Sequence, residues 1–493
     1  MMLRTLITEN PVLIKHLRSR LRLQHLIPLI AMVVTLCICI SWAGIASGGQ
    51  GPALMGILVL QGLLLFLVGA ATVATAVSHA RDNGMLDFHR ISPQQPTAVT
   101  VGFLLGAPIR EYVLLACTLP FSLILAVGAK FGLFGWLAVM LDLVVVSLLY
   151  YSVAILAGLA LPQRTSSTIL TLLFVFGLNA AWLLQPIGSL TIVPTALEAF
   201  RDQNAAPAVW TTLLGSPAPA FLVSLLHQVP VLIFLLIAAA RKMRHEFAYP
   251  FAKADAISFY FVMGLLLLVD APGGIDISHQ PSYSLGSVRA GVAALSYGLL
   301  LLGVFFATLV TPNAGAFARG IRHARKLGLT PISRWEDRAA NPAALVIFAA
   351  VFAAAGVVAT LGLPGTGSYG TRAIAAALVG ACAVLFWGLA KQSFDLTFRR
   401  HSNSYFMLLL FACWGLPLIL GLLISAVTNT DASGVLALSP LSGIAVLLSE
   451  ERGMGLTNAG YTAVIASLVL VIAFALLTAR AVRRTTSAAS AAP

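Results

Sequence analysis

Long apolar runs, broken only by short basic clusters, constrain this chain more than any other feature. A helix needs about 20 apolar residues to cross the roughly 30 Å hydrocarbon layer of a membrane. Stretches of that kind fall near 27–46, 54–77, 111–129, 132–160, 168–186 and 219–240. A second set follows near 255–270, 286–310, 343–362, 371–390, 404–426 and 459–479. Lipid offers no hydrogen bonds, so such runs must satisfy their backbone groups internally and cross as helices. The expected fold class is all-α: a polytopic helical membrane protein with about 12 transmembrane helices in two six-helix bundles.

Composition agrees with this. Of 493 residues, 59% are hydrophobic and 10% charged, too few charges to clothe a soluble domain, where about 25% is usual. The net charge of +13 raises the question of nucleic acid, but the basic residues lie in clusters between apolar runs. That is the pattern of cytoplasmic loops beside anionic lipid, and no nucleic-acid partner is expected. With a cytoplasmic N-terminus and twelve crossings, all basic residues except Lys130, Arg201, Arg289, Arg372 and Arg452 fall on the inside. The positive-inside bias therefore favours twelve crossings with both termini cytoplasmic. The five cysteines, Cys37, Cys39, Cys117, Cys382 and Cys413, all sit in apolar runs and read as buried hydrophobes.

The layout is expected to repeat. Residues 1–240 form a first bundle with an N-terminal interfacial helix, 241–254 a cytoplasmic connector and 255–493 a second bundle. The second crossing of each half leads into a long loop, 78–110 in the first and 311–343 in the second. Each half also carries Ser-Pro and a short apolar run before its last crossing, at 213–226 and 436–450, readable as re-entrant or interfacial helices or as apolar loops. Paired bundles of this kind suit a substrate pathway between two halves that rock against each other.

Residues 10–25, NPVLIKHLRSRLRLQH, predict an amphipathic helix along the inner leaflet. Asn10 caps it and Pro11 takes the first position, where its missing N–H costs nothing. Lys15, Arg18, Arg22 and His25 form its polar side, and an elbow role for a moving bundle is expected of Pro11, Lys15, Arg18 and Arg22. In the 78–110 loop, Arg81, Asp82, Gly84, Leu86, His89, Arg90 and Pro93 combine charge, turn signals and a short helical stretch. The matching features of the second half are Arg325, Lys326 and Trp335.

These segments resemble a known family. NPVLIKHLRSRLR is similar to the opening of bacterial ATP-binding-cassette export permeases. RDNGMLDFHRISPQQPTAVTVGFLLGAPIREY resembles their coupling loop, with Arg81-Asp82 where an acidic residue is usual and Gly84-Met85 in place of Gly-Thr. The resemblance implies that Arg81 to Pro93 touches a cytoplasmic ATPase, with Gly106 and Arg110 leading into the next crossing. It also implies two ATPase copies as partners, with room for further membrane or periplasmic subunits, and the bacterial inner membrane as the location.

No G-x-x-x-x-G-K-[ST] phosphate loop occurs, and the glycine-rich 362–370 lacks the lysine. ATP would act only through a partner subunit; no directly bound cofactor or metal and no catalytic residue of the chain's own is expected. Two intramembrane polar residues remain, Asp142 within VMLDLVVV and His227 beside Gln228. A carboxylate in lipid is costly and is often functional. Asp142 is open to three readings: a protonation site of an ion-gradient-driven transporter, part of a substrate path, or a hydrogen bond between helices. A non-transport scaffold is the remaining alternative.

Overall fold

A computed structural model describes residues 10–491, except 93, 130–131, 162, 181–186, 201–211, 214–215, 246–248, 250, 271–284, 330–332, 334, 362–366, 399–400, 429–431 and 450–457. Two compact units emerge: Met1–Thr211 with Ala218–Pro250, and Thr212–Pro217 with Phe251–Pro493.

In the first unit, α1 (Pro11–Arg20) precedes α2 (Leu23–Gly48) and α3 (Gln50–Asp82), whose ladder widens into a π-turn over Leu63–Gly69. Then come α4 (Met85–Ile91), α5 (Pro96–Gly106), α6 (Ile109–Gly128), α7 (Leu133–Ala160), α8 (Arg164–Ala180), α9 (Val193–Ala199) and α10 (Ala220–Arg244). α7 is the centre of the unit. Tyr150, Tyr151, Val146 and Ile155 are completely buried, and α3, α8 and α10 pack around it.

The second unit contains α11 (Lys253–Asp270), α12 (Leu285–Val310), α13 (Ala314–Lys326), α14 (Pro342–Leu361) and α15 (Gly367–Thr397). It closes with α16 (Ser402–Val427), α17 (Pro440–Ser449) and α18 (Asn458–Ala491). A two-stranded ribbon pairs Thr212 with Pro217. Here α15 is the central element, packed by α14, α12, α17 and α18.

The protein is an all-helical, multi-pass membrane protein. Among the described residues ten helices are long and apolar enough to cross: α2, α3, α6, α7, α10, α12, α14, α15, α16 and α18. Two expected crossings fall outside that set. The described part of α8 has 17 residues, with 181–186 outside the described residues, and α11 carries Lys253, Asp255 and Asp270 within 18 residues.

Several loops turn out to be helical. The 78–110 segment contains the end of α3, α4, α5 and the start of α6. Its apolar stretch Val99–Leu105 is too short to cross but long enough to bury a helix against α1. The helix expected over 10–25 ends at Arg20, and Arg22 becomes the residue preceding α2. The short run at 213–226 is divided between the ribbon and the first turns of α10, whereas 436–450 does hold a separate short helix, α17.

Candidate functional site

The α1–α5 contact is set by local chemistry. The Asn10 side chain accepts from the backbone N–H of Val12 (3.0 Å) and Leu13 (3.3 Å), and its amide donates to the Ala98 carbonyl of α5 at 2.6 Å. Pro11 occupies the first helical position. Val12, Leu13 and His16 are buried where Gly102 and Gly106 bring the α5 backbone close. A Cβ on Gly102 would lie 2.7 Å from the Val12 Cβ, and one on Gly106 would lie 3.1 Å from the His16 Cβ. The His16 ring meets Phe103 edge-on at 5.5 Å. Burial, then Arg20 and Lys15, lower its pKa to about 4. Lys15 reaches the Met85 sulfur of α4 at 2.9 Å; Arg18 and Arg22 are exposed.

Gly84, at φ +67°, ends α3 in the left-handed conformation that a side chain disfavours, and turns the chain into α4. Around this turn several of the expected coupling residues are engaged within the unit. Arg81 and Arg90 are structural ties. The Arg81 guanidinium donates to the Gly158 carbonyl at 2.8 Å and to that of Leu161, capping the C-terminus of α7, and pairs with exposed Asp82 at 2.8 Å. Arg90 pairs with Asp87 at 2.5 Å, and its Nε donates to the Met243 carbonyl near the end of α10 at 3.3 Å. Leu86 is buried beneath them. His89 meets Gln94 at 3.0 Å; burial holds its pKa below the ordinary value, and the Gln94 bond opposes that shift. Pro93 lies outside the described residues.

The remaining face of α4 is free for contact. Phe88 is 62% exposed and Ile91 85%, one helical turn apart, with exposed Asp87 beside them. Ile91 escaped sequence reasoning. Its signal was an apolar pair at i and i+3 in a helix far too short to cross.

The second unit has a related projection. Asn313 caps α13 through the Ala316 N–H at 2.8 Å, and Phe317, Ile321 and Ala324 form its buried face. Gly328, at φ +69°, completes a Schellman end: its N–H donates to Arg325 at 3.1 Å, and that of Leu329 to Ala324 at 2.8 Å. Arg325 and Lys326 are exposed in its last turn, Leu327 and Leu329 are exposed just beyond, and Trp335 is 57% exposed. Lys253 fixes the segment after α13 by donating to the Glu336 and Ala339 carbonyls at 2.6 and 2.8 Å.

Within the crossing part of the first unit, Asp142 of α7 is completely buried. It faces the Thr195 hydroxyl of α9 and the Gln228 amide of α10. Among the described residues no well-formed hydrogen bond reaches either carboxylate oxygen, the Thr195 hydroxyl or the Gln228 carbonyl oxygen. The Gln228 amide instead donates to the Ser189 carbonyl at 3.1 Å, and His227 Nδ1 lies 2.9 Å from the Val223 carbonyl. The structure thus brings Asp142, Gln228 and Thr195 to one cluster; His227, next to Gln228 on α10, is completely buried and is turned toward the Val223 carbonyl of its own helix. A separate apolar cavity of about 310 Å³, walled by Leu63, Phe66, Leu143 and Phe176, has Asn179 as its polar group.

Among the described residues no group of three or more His, Cys, Asp or Glu could hold a metal ion. No family model, no curated protein and no solved structure matches the chain.

Proposed function

We propose that this protein is the permease of an ATP-driven transporter of the ATP-binding-cassette type, working in export from the bacterial inner membrane. Two six-crossing halves, completed by α8 and α11, would form the pathway, with both termini cytoplasmic. Two copies of a separate ATPase would dock on α4 and α13, and hydrolysis would occur in them. The observation that carries this reading is the form of α4. A device that receives force must be rigid behind and adhesive in front. Arg90 and Leu86 brace α4 from behind, and Phe88 with Ile91 presents an apolar knob, the type of anchor that dominates interface energetics.

The test is co-purification of the full chain with a phosphate-loop ATPase encoded beside it, followed by ATPase assay. Phe88→Asp with Ile91→Asp is expected to abolish ATPase capture and leave membrane insertion intact. Undiminished capture by that variant would refute the docking role of α4.

A second reading, an ion-gradient-driven transporter, is supported by the Asp142 cluster. A buried carboxylate without a closed hydrogen bond can take up and release a proton or cation on its way across the bilayer. It predicts transport that collapses with an ionophore and needs no ATPase.

A further inference from the structure

A cleft of about 580 Å³ opens in the first unit between α1, α3 and α8. Arg20, at the end of α1, and Arg164, at the start of α8, stand at one end; Thr72 and Thr75 line the wall of α3; Leu172 and Phe176 lie at the other end. The guanidinium groups of Arg20 and Arg164 have no hydrogen-bond or ion-pair partner among the described residues. Arg20 is half-buried, and the charges near it are Arg110 and Glu111. Glu111 is completely buried, and Arg110 engages it at 2.8 Å. Glu111 also attracts Arg20 and accepts from Thr72 at 3.3 Å, but this one carboxylate stands against the three guanidinium groups of Arg20, Arg110 and Arg164, which leaves the mouth positive.

The dimensions add a second constraint. From Arg164 to Phe176 a helix rises about 18 Å, and from Thr75 to Leu67 about 12 Å. One leaflet of hydrocarbon is about 15 Å deep. A positive mouth joined to an apolar wall one leaflet deep suits a molecule with an anionic head and an aliphatic tail. Planar guanidinium groups recognise phosphate and carboxylate by paired hydrogen bonds.

We propose that this cleft binds an anionic amphiphile drawn from the leaflet beside α1, its phosphate or carboxylate head held by Arg20 and Arg164 and its tail laid along Val68, Leu172 and Phe176. The inference requires the chain to lie in a membrane but does not require an ATPase, so binding and ATP coupling can fail independently.

The full chain in detergent, analysed by native mass spectrometry, provides the test. The probes are dioctanoyl phosphatidylglycerol, dioctanoyl phosphatidylcholine and inorganic phosphate. Phosphatidylglycerol is expected to bind at least tenfold more tightly than phosphatidylcholine. Arg20→Gln with Arg164→Gln should remove that preference, and Val68→Trp should weaken phosphatidylglycerol at least fivefold with both arginines in place. Equal binding of the two lipids, or an unchanged preference in the double glutamine variant, would overturn the proposal. So would displacement of phosphatidylglycerol by inorganic phosphate at equal concentration, because the ligand would then be a free anion. Should the glutamine variant fail to fold, unchanged binding in Val68→Trp would overturn the tail placement and the amphiphile with it.

Discussion

Acidification should release α1 from α5. His16 is 8% exposed and its pKa is lowered from 6.5 to about 4 by burial, then by Arg20 and Lys15. α5, against which the imidazole packs, contributes no titratable side chain. When α1 detaches, the ring returns to water and to its ordinary pKa. The attached state therefore binds fewer protons between those two values. The contribution of the neutral ring is fully present above about pH 6.5, falls as pH drops toward 4, and is lost below that. At about 1.4 kcal/mol per pKa unit, the full change amounts to about 3.5 kcal/mol, of which about 100-fold in the opening equilibrium is expressed by pH 4. Amide exchange across residues 14–21, corrected for its intrinsic pH dependence, reads this directly in the full chain. Protection should drop by that factor between pH 7 and pH 4. His16→Phe keeps a ring against Phe103 and should give a flat profile. Identical pH profiles for the two proteins would refute burial of the imidazole as the cause.

Three further outcomes follow from the geometry. Gly102→Leu places a side chain 2.7 Å from the Val12 Cβ and 2.9 Å from the Asn10 Oδ1; it should free α1 at every pH, at a cost of about 1.5–3 kcal/mol for each apolar side chain uncovered. Undisturbed exchange in α1 would contradict that contact. Asp142→Asn replaces a completely buried carboxyl that has no well-formed hydrogen bond by a neutral amide that both donates and accepts. Thermal unfolding should show a gain of about 1–3 kcal/mol, whereas a lowered midpoint would mean that the carboxylate is well accommodated. Arg81→Glu should cost about 3 kcal/mol through lost charge-assisted bonds to the end of α7. It should lower the yield of folded protein, unlike Phe88→Asp with Ile91→Asp; normal yield and melting in Arg81→Glu would contradict the capping role.

Much of the architecture was legible because lipid leaves an apolar run few choices. The ten crossing helices coincide with stretches recognisable by length and hydropathy alone. Asn10 and Pro11 announced the start of α1 through capping chemistry that acts within one turn. In the 78–110 segment the short helix after Gly84 was legible from its turn signals, whereas α5 was not, because it is only 11 residues long and is stabilised by contact with α1 through Gly102 and Gly106. Roles within that segment were equally hidden. Arg81 looked suitable for a partner, yet it spends its donors on carbonyls 77 and 80 residues away, while Phe88 of the neighbouring short helix faces outward. Asp142 stood out in sequence, but its neighbour Thr195 did not, because a threonine in a short connecting segment carries no signal until α9 folds against α7.

The same contacts supply a physical route between the projecting helix and the interior. α4 is tied to the end of α10 by Arg90 and to α1 through Lys15 and Met85. The end of α3, from which α4 springs, is tied to the end of α7 by Arg81. Those two helices, α7 and α10, carry Asp142 and Gln228 about 22–29 Å farther along their length. A helix is stiff along its axis, so a load on Phe88 and Ile91 would reach α7 and α10 at their ends and be felt where Asp142 faces Gln228. That cluster has no closed hydrogen bonds on its carboxylate among the described residues, so little local bonding opposes a relative shift of the two helices there. In the ATP-driven reading, the site best placed to change geometry during a cycle is therefore the Asp142 cluster, far from the surface on which the ATPase acts.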